Sequence, residues 1–396
     1  MYIKIHRGAR QIGGCSAEIA CGANRVFIDI GSDLPGAETA DEPPRIEGLT
    51  TGDTKNSALF FTHYHGDHIG RFGEVAEGVD VYMGRTAKAM LLNIARYTDR
   101  EMLPRYAAIK TFEARDKIHV GGIVVTPLMI DHSAFDAYMF VVEARGKRVL
   151  HTGDFRTHGF RGDKTFEMLR RYARDIDYVI CEGTMLSRPG EKVLGENELK
   201  KRAAELTLEK KYIFVLCSSV NIDRIAAFYQ AKPAGRLFIC DKYQKEQLET
   251  VSLRHAAKSA LYDFRYALSY GPNLDERMEK DGFRMLVRRN EWSRRHLEKY
   301  FSEPYRKNSI LIYSMWRGYL EGSAANRELI EFLKPYDPET LHTSGHATAE
   351  DIAELYRAVN PKEGLIPIHT EAPEEFKTLI PDGNIILLRD GETLAI

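Results

Sequence analysis

Phe60-Phe61-Thr62-His63-Tyr64-His65-Gly66-Asp67-His68-Ile69-Gly70 sets three histidines and an aspartate within six residues, immediately after an apolar run. The run at 58–61 predicts a short buried strand that the chain leaves at Thr62. His63 and His65 are two residues apart, so in extended backbone their side chains share a face. Gly66 lets the chain turn, so that Asp67 and His68 can face a second position. Imidazole nitrogen and carboxylate oxygen suit zinc and similar divalent ions. The bland alternative is a histidine-rich loop of no consequence, but four such groups at one strand end are costly to leave without a partner.

Composition sets the frame around this stretch. At 396 residues the chain is long for one domain, and a prior of ~150 residues per domain predicts two or three. The 56 Lys and Arg residues balance 57 Asp and Glu, so net charge says nothing about a polyanionic partner. Cys15, Cys21, Cys181, Cys217 and Cys240 are scattered without a C-x-x-C pair. They read as small core residues of a reducing compartment, not as a disulfide framework or a thiolate metal site. Residues 1–6 alternate like a strand and show no signal-peptide pattern. No apolar run approaches the ~20 residues that a membrane span needs. These features predict a cytoplasmic protein without membrane association.

Along the chain, apolar strand followed by polar loop recurs. A strand at 25–31 carries Asp29 near its end, and Asp29 could be a ligand or a hydrogen-bond acceptor that steadies the histidine loop. A helix is predicted at 85–98. The strand pair at 117–129 delivers Asp131-His132-Ser133-Ala134-Phe135-Asp136-Ala137, where Asp136 is a candidate to orient a ligating histidine. A hairpin ends in His151-Thr152-Gly153-Asp154-Phe155, and a strand at 178–182 ends in Glu182. Sites built on strand ends look like this in sequence. Then a helix (196–210), strand (212–216), helix (220–231) and strand (236–240) predict a parallel α/β unit, with a further strand at 308–313. Histidines return in Leu341-His342-Thr343-Ser344-Gly345-His346-Ala347 and, after a helix at 349–359, in Ile366-Pro367-Ile368-His369. A last strand is predicted at 384–388. His255 and His296 read as structural or surface residues, His151 and His342 as packing within strands, and His158 as part of a surface loop.

These motifs together resemble the β-CASP branch of the metallo-β-lactamase superfamily, most closely the ribonuclease J-like nucleases, over nearly the entire chain. H-x-H-x-D-H at 63–68 looks like the superfamily's metal signature. Residues 8–33 resemble its opening hairpin, Asp131-His132 its third metal motif and Thr152-Gly153-Asp154-Phe155 its fourth. Glu182 stands at the acidic first motif of the β-CASP group. Ser344-Gly345-His346-Ala347 resembles the second, and Pro367-Ile368-His369-Thr370-Glu371 the third. Ribonuclease J carries a further C-terminal domain, whereas this sequence stops soon after His369.

The resemblance implies an α/β fold: a metallo-β-lactamase αββα sandwich, from residues 1–184 and 342–396, with a β-CASP-like α/β domain inserted at 185–341. It implies two divalent metal ions, zinc before manganese or magnesium. His63, His65 and His132 would hold one, Asp67, His68 and His369 the other, with Asp154 bridging and Asp29 steadying the metal loop. Such ions ~3.5–4 Å apart lower the pKa of a shared water and clamp the oxygens of an in-line phosphoryl displacement. Asp67, Asp154, Glu182 and His346 are then the catalytic candidates. His346 suits phosphate orientation and leaving-group protonation, with Glu182 raising its pKa and fixing its tautomer. Ser344, Ser219, Asn221 and Arg224 are the candidates for substrate binding.

The implied activity is a metal-dependent ribonuclease that hydrolyses phosphodiester bonds of single-stranded RNA through a metal-activated hydroxide, as a 5′–3′ exonuclease, an endonuclease or both. A histidine at the last motif, here His369, is typical of RNA-acting members. The alternatives are a DNA nuclease of the same branch, a small-molecule metallo-hydrolase, which needs neither Glu182 nor His346, and a non-catalytic scaffold. The partner is RNA, and a homo-oligomer stays open. The insertion is mildly cationic, and Arg284, Arg288, Arg289, Arg294, Arg295, Lys299, Arg306 and Lys307 form its densest basic stretch. With Trp292, Tyr300, Phe301 and Tyr305 interleaved, that stretch reads equally as a nucleic-acid track or as a solvated helix face.

Overall fold

A computed structural model describes residues 1–34, 44–188, 190–231, 235–321 and 326–396. The chain divides into two compact units, Met1–Thr157 with Arg161–Glu191 and Gly345–Ile396, and His158–Phe160 with Lys192–Ser344. No helix among the described residues is long and apolar enough to cross a membrane.

Two sheets make up the first unit. One has seven strands in the order Thr393–Ala395, Tyr2–Arg7, Ser16–Cys21, Asn24–Ile28, Ser57–Phe60, Asp80–Gly84 and Lys110–Phe112. The other has six, in the order Gly364–Ile368, Tyr178–Glu182, Lys147–His151, Ala137–Ala144, Ile123–Ile130 and Ile118–Val120. Strand periodicity explains how they pack. In Ala137–Ala144, Tyr138, Phe140 and Val142 face inward and share one core with Ile3, Ile28 and Phe60 of the first sheet. Met139 and Val141 point the other way, into a second core closed by Leu169 of helix Thr165–Tyr172 and Ile352 and Leu355 of helix Ala349–Val359. This is the αββα arrangement. One local expectation fails. The predicted strand at 384–388 is only a bridge of Ile385 to Leu365, and the last strand is Thr393–Ala395, antiparallel to Tyr2–Arg7. Gly391, with φ of 82°, supplies the left-handed residue of the turn that redirects the chain.

The second unit holds a six-stranded sheet, in the order Ala267–Ser269, Leu237–Cys240, Phe283–Val287, Tyr212–Leu216, Ser309–Tyr313 and Glu339–Thr340. Every pairing is parallel, which is why its inner strands read as continuous apolar runs. The basic stretch resolves into a paired, solvated face. Arg284 is buried mid-strand, and its guanidinium donates to the carbonyls of Phe228 and Ala203. Arg288 pairs with Asp241, Arg289 with Glu328, Arg295 with Glu291 and Lys299 with Glu279. Tyr300 is fully buried and offers no stacking face, and Trp292, Phe301 and Tyr305 are partly buried against the core.

Candidate metal centre

The polar groups of the first unit gather where its strands end. His63, His65, Asp67 and His68 follow Ser57–Phe60, His132 follows Ile123–Ile130, Asp154 follows Lys147–His151 and His369 follows Gly364–Ile368. The backbone is specialised at these corners. Asp29, Asp136 and His369 have φ of 61°, 66° and 53°, a left-handed conformation that non-glycine residues hold only when their surroundings impose it. Gly31 must be glycine for another reason. A Cβ there would lie 1.6 Å from the Asp67 carbonyl oxygen, so a larger residue would push the ligand loop away.

Asp154 is the hub. Its Oδ2 lies 3.1 Å from His68 Nε2, 3.6 Å from His346 Nδ1, 3.8 Å from His369 Nε2 and 4.0 Å from both His63 Nε2 and His132 Nε2. The ligand atoms of His63, His65 and His132 lie within 4.8 Å of one another, as do those of Asp67, His68, Asp154 and His369. His369 Nε2 is 3.3 Å from Asp67 Oδ2.

Most of these rings are anchored on the far side. Asp29 accepts from the Thr62 N–H and hydroxyl and sits 2.8 Å from His68 Nδ1. The family resemblance implied that Asp29 is a brace and not a ligand, and here it braces. His63 Nδ1 lies 3.0 Å from the Thr62 hydroxyl, His132 Nδ1 donates to the Gly345 carbonyl at 2.6 Å, and His369 Nδ1 lies 2.8 Å from the Thr184 hydroxyl. Partners on Nδ1 orient each imidazole and turn Nε2 inward. Sequence reasoning missed Thr62, Thr184 and the Gly345 carbonyl.

The electrostatics divide the histidines. Burial, reinforced by neighbouring rings, pushes His63 and His132 well below the ordinary value, and burial takes His65 down to about 4. All three are neutral, with lone pairs to offer. Burial also opposes the charge on His68, but Asp154, Asp29 and Asp67 outweigh it and hold a proton there. Asp154 and Asp67 are buried, yet the surrounding imidazoles keep both well below the carboxylate range. A cation would take the place of the His68 proton.

Residue chemistry and packing both fit such a cation. His63 Nε2, His68 Nε2 and both Asp154 carboxylate oxygens are buried and make no hydrogen bond. Cys15, His68, Asp154, Glu182 and His369 line one small cavity. Buried polar atoms without partners cost free energy that a bare ion removes. Residues 24–209 match the family model described as a beta-lactamase superfamily domain, and residues 336–380 match a Zn-dependent metallo-hydrolase RNA specificity domain.

The chain carries domains of the metallo-β-lactamase superfamily.

Within the superfamily its similarity runs to proteins named Ribonuclease J. It is 21% identical to that of Helicobacter pylori strain 26695 over 98% of this chain and 60% of the relative. It is 24% identical to that of Sinorhizobium meliloti over 88% of this chain and 64% of the relative. The chain thus spans about 60% of the length of the first of these. The crystal structure of a protein of unknown function from Enterococcus faecalis V583 superposes with a TM-score of 0.79 at 21% identity, covering 100% of this chain and 99% of that one, and so shares the fold.

Beside the metallo-β-lactamase ligand set lies the pair Glu182–His346. Glu182 is fully buried, and His346 Nδ1 is 3.1 Å from its Oε2. Burial pulls His346 down, but Glu182 and Asp154 prevail and raise it. A fifth of the His346 side chain is exposed, against 2% or less for His63, His68, His132 and His369; of the ligand histidines only His65 is likewise part-exposed.

Expectations at five residues need correction. Asp136 orients no histidine. It accepts from the N–H groups of Thr86 and Ala87, at the start of helix Arg85–Thr98, and from the Tyr138 hydroxyl. Arg224 is fully buried in the second unit, forked onto Glu196 and bonded to Ser314 and the Thr343 carbonyl, which leaves it no face for a substrate. Asn221 caps helix Ile222–Gln230 by accepting from the Arg224 N–H. Ser219 accepts from Gln244, and Ser344 is buried in the second unit with its carbonyl 2.8 Å from His158 Nε2.

Proposed function

We propose that this protein is a metal-dependent ribonuclease that hydrolyses phosphodiester bonds of single-stranded RNA. One observation carries the reading: a complete set of nitrogen and oxygen ligands converges on Asp154 with the buried Glu182–His346 pair against it. A small-molecule hydrolase has no use for that pair. The relatives named Ribonuclease J and the RNA specificity match at residues 336–380 support RNA as the substrate. Residues 185–341 serve as the substrate-side β-CASP-like domain in this reading.

His63, His65 and His132 would hold one divalent cation and Asp67, His68 and His369 a second, with Asp154 shared between the two sets. Bound there, two such cations lower the pKa of a water near the scissile phosphate and offset developing negative charge. The chain's own groups do the rest. Asp29, Thr62, Thr184 and the Gly345 carbonyl keep four imidazoles aimed inward, so little reorganisation accompanies the reaction. Glu182 keeps His346 protonated, and His346 gives the proton at Nε2 to the departing ribose oxygen.

The test is digestion of labelled 5′-monophosphorylated RNA, circular RNA of the same sequence and the matching single-stranded DNA, with zinc or manganese. RNA cleavage that vanishes in Asp67→Ala and His346→Ala is the expected result. Mononucleotides from the linear RNA alone mark an exonuclease, and opening of the circle marks an endonuclease. Preference for DNA, or thioester hydrolysis that survives His346→Ala, replaces the reading.

A further inference from the structure

One buried nucleophile at the metal centre has no part in the chemistry above. Cys15 follows the Gly13–Gly14 turn, whose two residues have φ of 86° and 65°. Its side chain faces the ring nitrogens of His68 and His369, and the three ligand atoms lie within 4.8 Å of one another. Read from sequence, it is a small core residue. Its surroundings are not those of a core residue, because it shares a ligand group with His68 and His369, and His68 Nε2 is buried without a hydrogen bond.

The thiol is held in place from both sides. The Cys15 N–H donates to the Asp67 carbonyl at 3.3 Å, and the Cys15 carbonyl accepts from the Gly31 N–H at 3.1 Å. Behind it stands Gly8, where a Cβ would come within 3.1 Å of the sulfur. The Gly8 carbonyl in turn accepts from the His369 N–H at 2.7 Å. The backbone that places the sulfur is therefore tied to the backbone that places Asp67 and His369.

We propose that Cys15 supplies a thiolate to the cation held by His68 and His369, which makes this position selective for zinc over manganese and magnesium. The inference rests on the metal centre described above. On binding, the thiol proton leaves to solvent as the metal–sulfur bond forms, and no oxidant takes part. Thiolate is a soft ligand that favours zinc, whereas manganese and magnesium prefer all-oxygen surroundings. Among the described residues, Cys21, Cys181, Cys217 and Cys240 belong to no such ligand group.

Cobalt-substituted protein tests this directly. The wild type should show the near-ultraviolet sulfur-to-cobalt charge-transfer band. Cys15→Ser should lose it while keeping the visible cobalt bands, and its zinc affinity should fall roughly tenfold with manganese affinity unchanged. Should Cys15→Ser misfold, X-ray absorption of the wild-type zinc protein decides, since one sulfur scatterer shared over two zinc ions, about half per zinc, is expected. Metal bound with nitrogen and oxygen scatterers only overturns the thiolate and leaves the ribonuclease reading standing. Failure to bind cobalt or zinc at all overturns both.

Discussion

Asp154 in the first unit and Arg224 in the second are equally hidden from solvent, at 2% and 0% exposure. Their surroundings differ. Arg224 is saturated: its guanidinium meets Glu196, Ser314, the Thr343 carbonyl and His342 at 2.8–3.3 Å. Asp154 has five imidazole nitrogens within 4.0 Å and a hydrogen bond to none of them. A buried charge with its partners in place is architecture. A buried charge ringed by imidazole nitrogens, with no hydrogen bond to any of them, has the chemistry of a metal ligand. Burial alone separates nothing here; what distinguishes the functional site is unsatisfied valence.

The contrast breaks or holds first at Asp154. Asp154→Asn should leave the fold intact, since the side chain keeps its volume. It should cut RNA hydrolysis by on the order of 10^4-fold, because the metal-lowered pKa of water is lost with the metals. Elemental analysis should show less than the wild-type metal content, and full content would end Asp154's role as hub. Glu196→Ala probes the other unit. It strands Arg224 without a carboxylate and should cost about 3–5 kcal/mol in urea unfolding, with metal content per folded molecule unchanged. Loss of metal without loss of stability would reverse the assignments of the two clusters.

The same contrast explains what could be read from the sequence. The ligands were legible because each strand deposits its own at its end, so His63-x-His65-x-Asp67-His68, Asp131-His132 and Gly153-Asp154 are local patterns. Their anchors were not. Thr184 braces His369 across 185 residues and the Gly345 carbonyl braces His132 across 213, and no short motif encodes such a meeting. Arg224 misled because residues 214–224 resemble a substrate-side segment of the inserted domain, and arginine is rarely fully buried. Its neutralising partner Glu196 opens a different helix, Glu196–Glu209. The apolar residues 384–388 misled in the ordinary way: they bury Ile385 and Leu388 without joining a sheet for more than one bridge.

A smaller effect sharpens the account of His346. Its ionisation, opposed by burial, is raised above 6.5 by Glu182 and Asp154. A raised histidine stabilises the fold fully below its ordinary value, and that contribution fades as pH rises through the raised one. If His346 is the acid, kcat/KM falls over the same interval. Glu182→Gln removes the first of the charges that raise it, so the alkaline fall should move to lower pH. A pH–rate profile that stays in place would leave Glu182 as a structural acceptor for Phe155, whose N–H it also binds at 2.9 Å.

The smallest effect concerns Asp136, where sequence and structure disagree. If Asp136 oriented a ligating histidine, Asp136→Ala would weaken metal binding by roughly tenfold. The structure gives it other work. Its Oδ2 accepts from the Thr86 and Ala87 N–H groups at 2.8 and 2.9 Å, and its Oδ1 from the buried Tyr138 hydroxyl at 2.8 Å. Asp136 therefore holds the start of helix Arg85–Thr98 against strand Ala137–Ala144, and its left-handed backbone follows from that duty. Asp136→Ala should cost about 1–2 kcal/mol, the scale of a lost helix cap, while metal content and cleavage rate per folded molecule stay as in the wild type. Metal titration of the variant, run beside thermal unfolding, separates the two. A weakened metal site would mean that the turn from His132 to Asp136 transmits orientation after all, and that the boundary between ligand and scaffold lies further out than the unsatisfied atoms alone indicate.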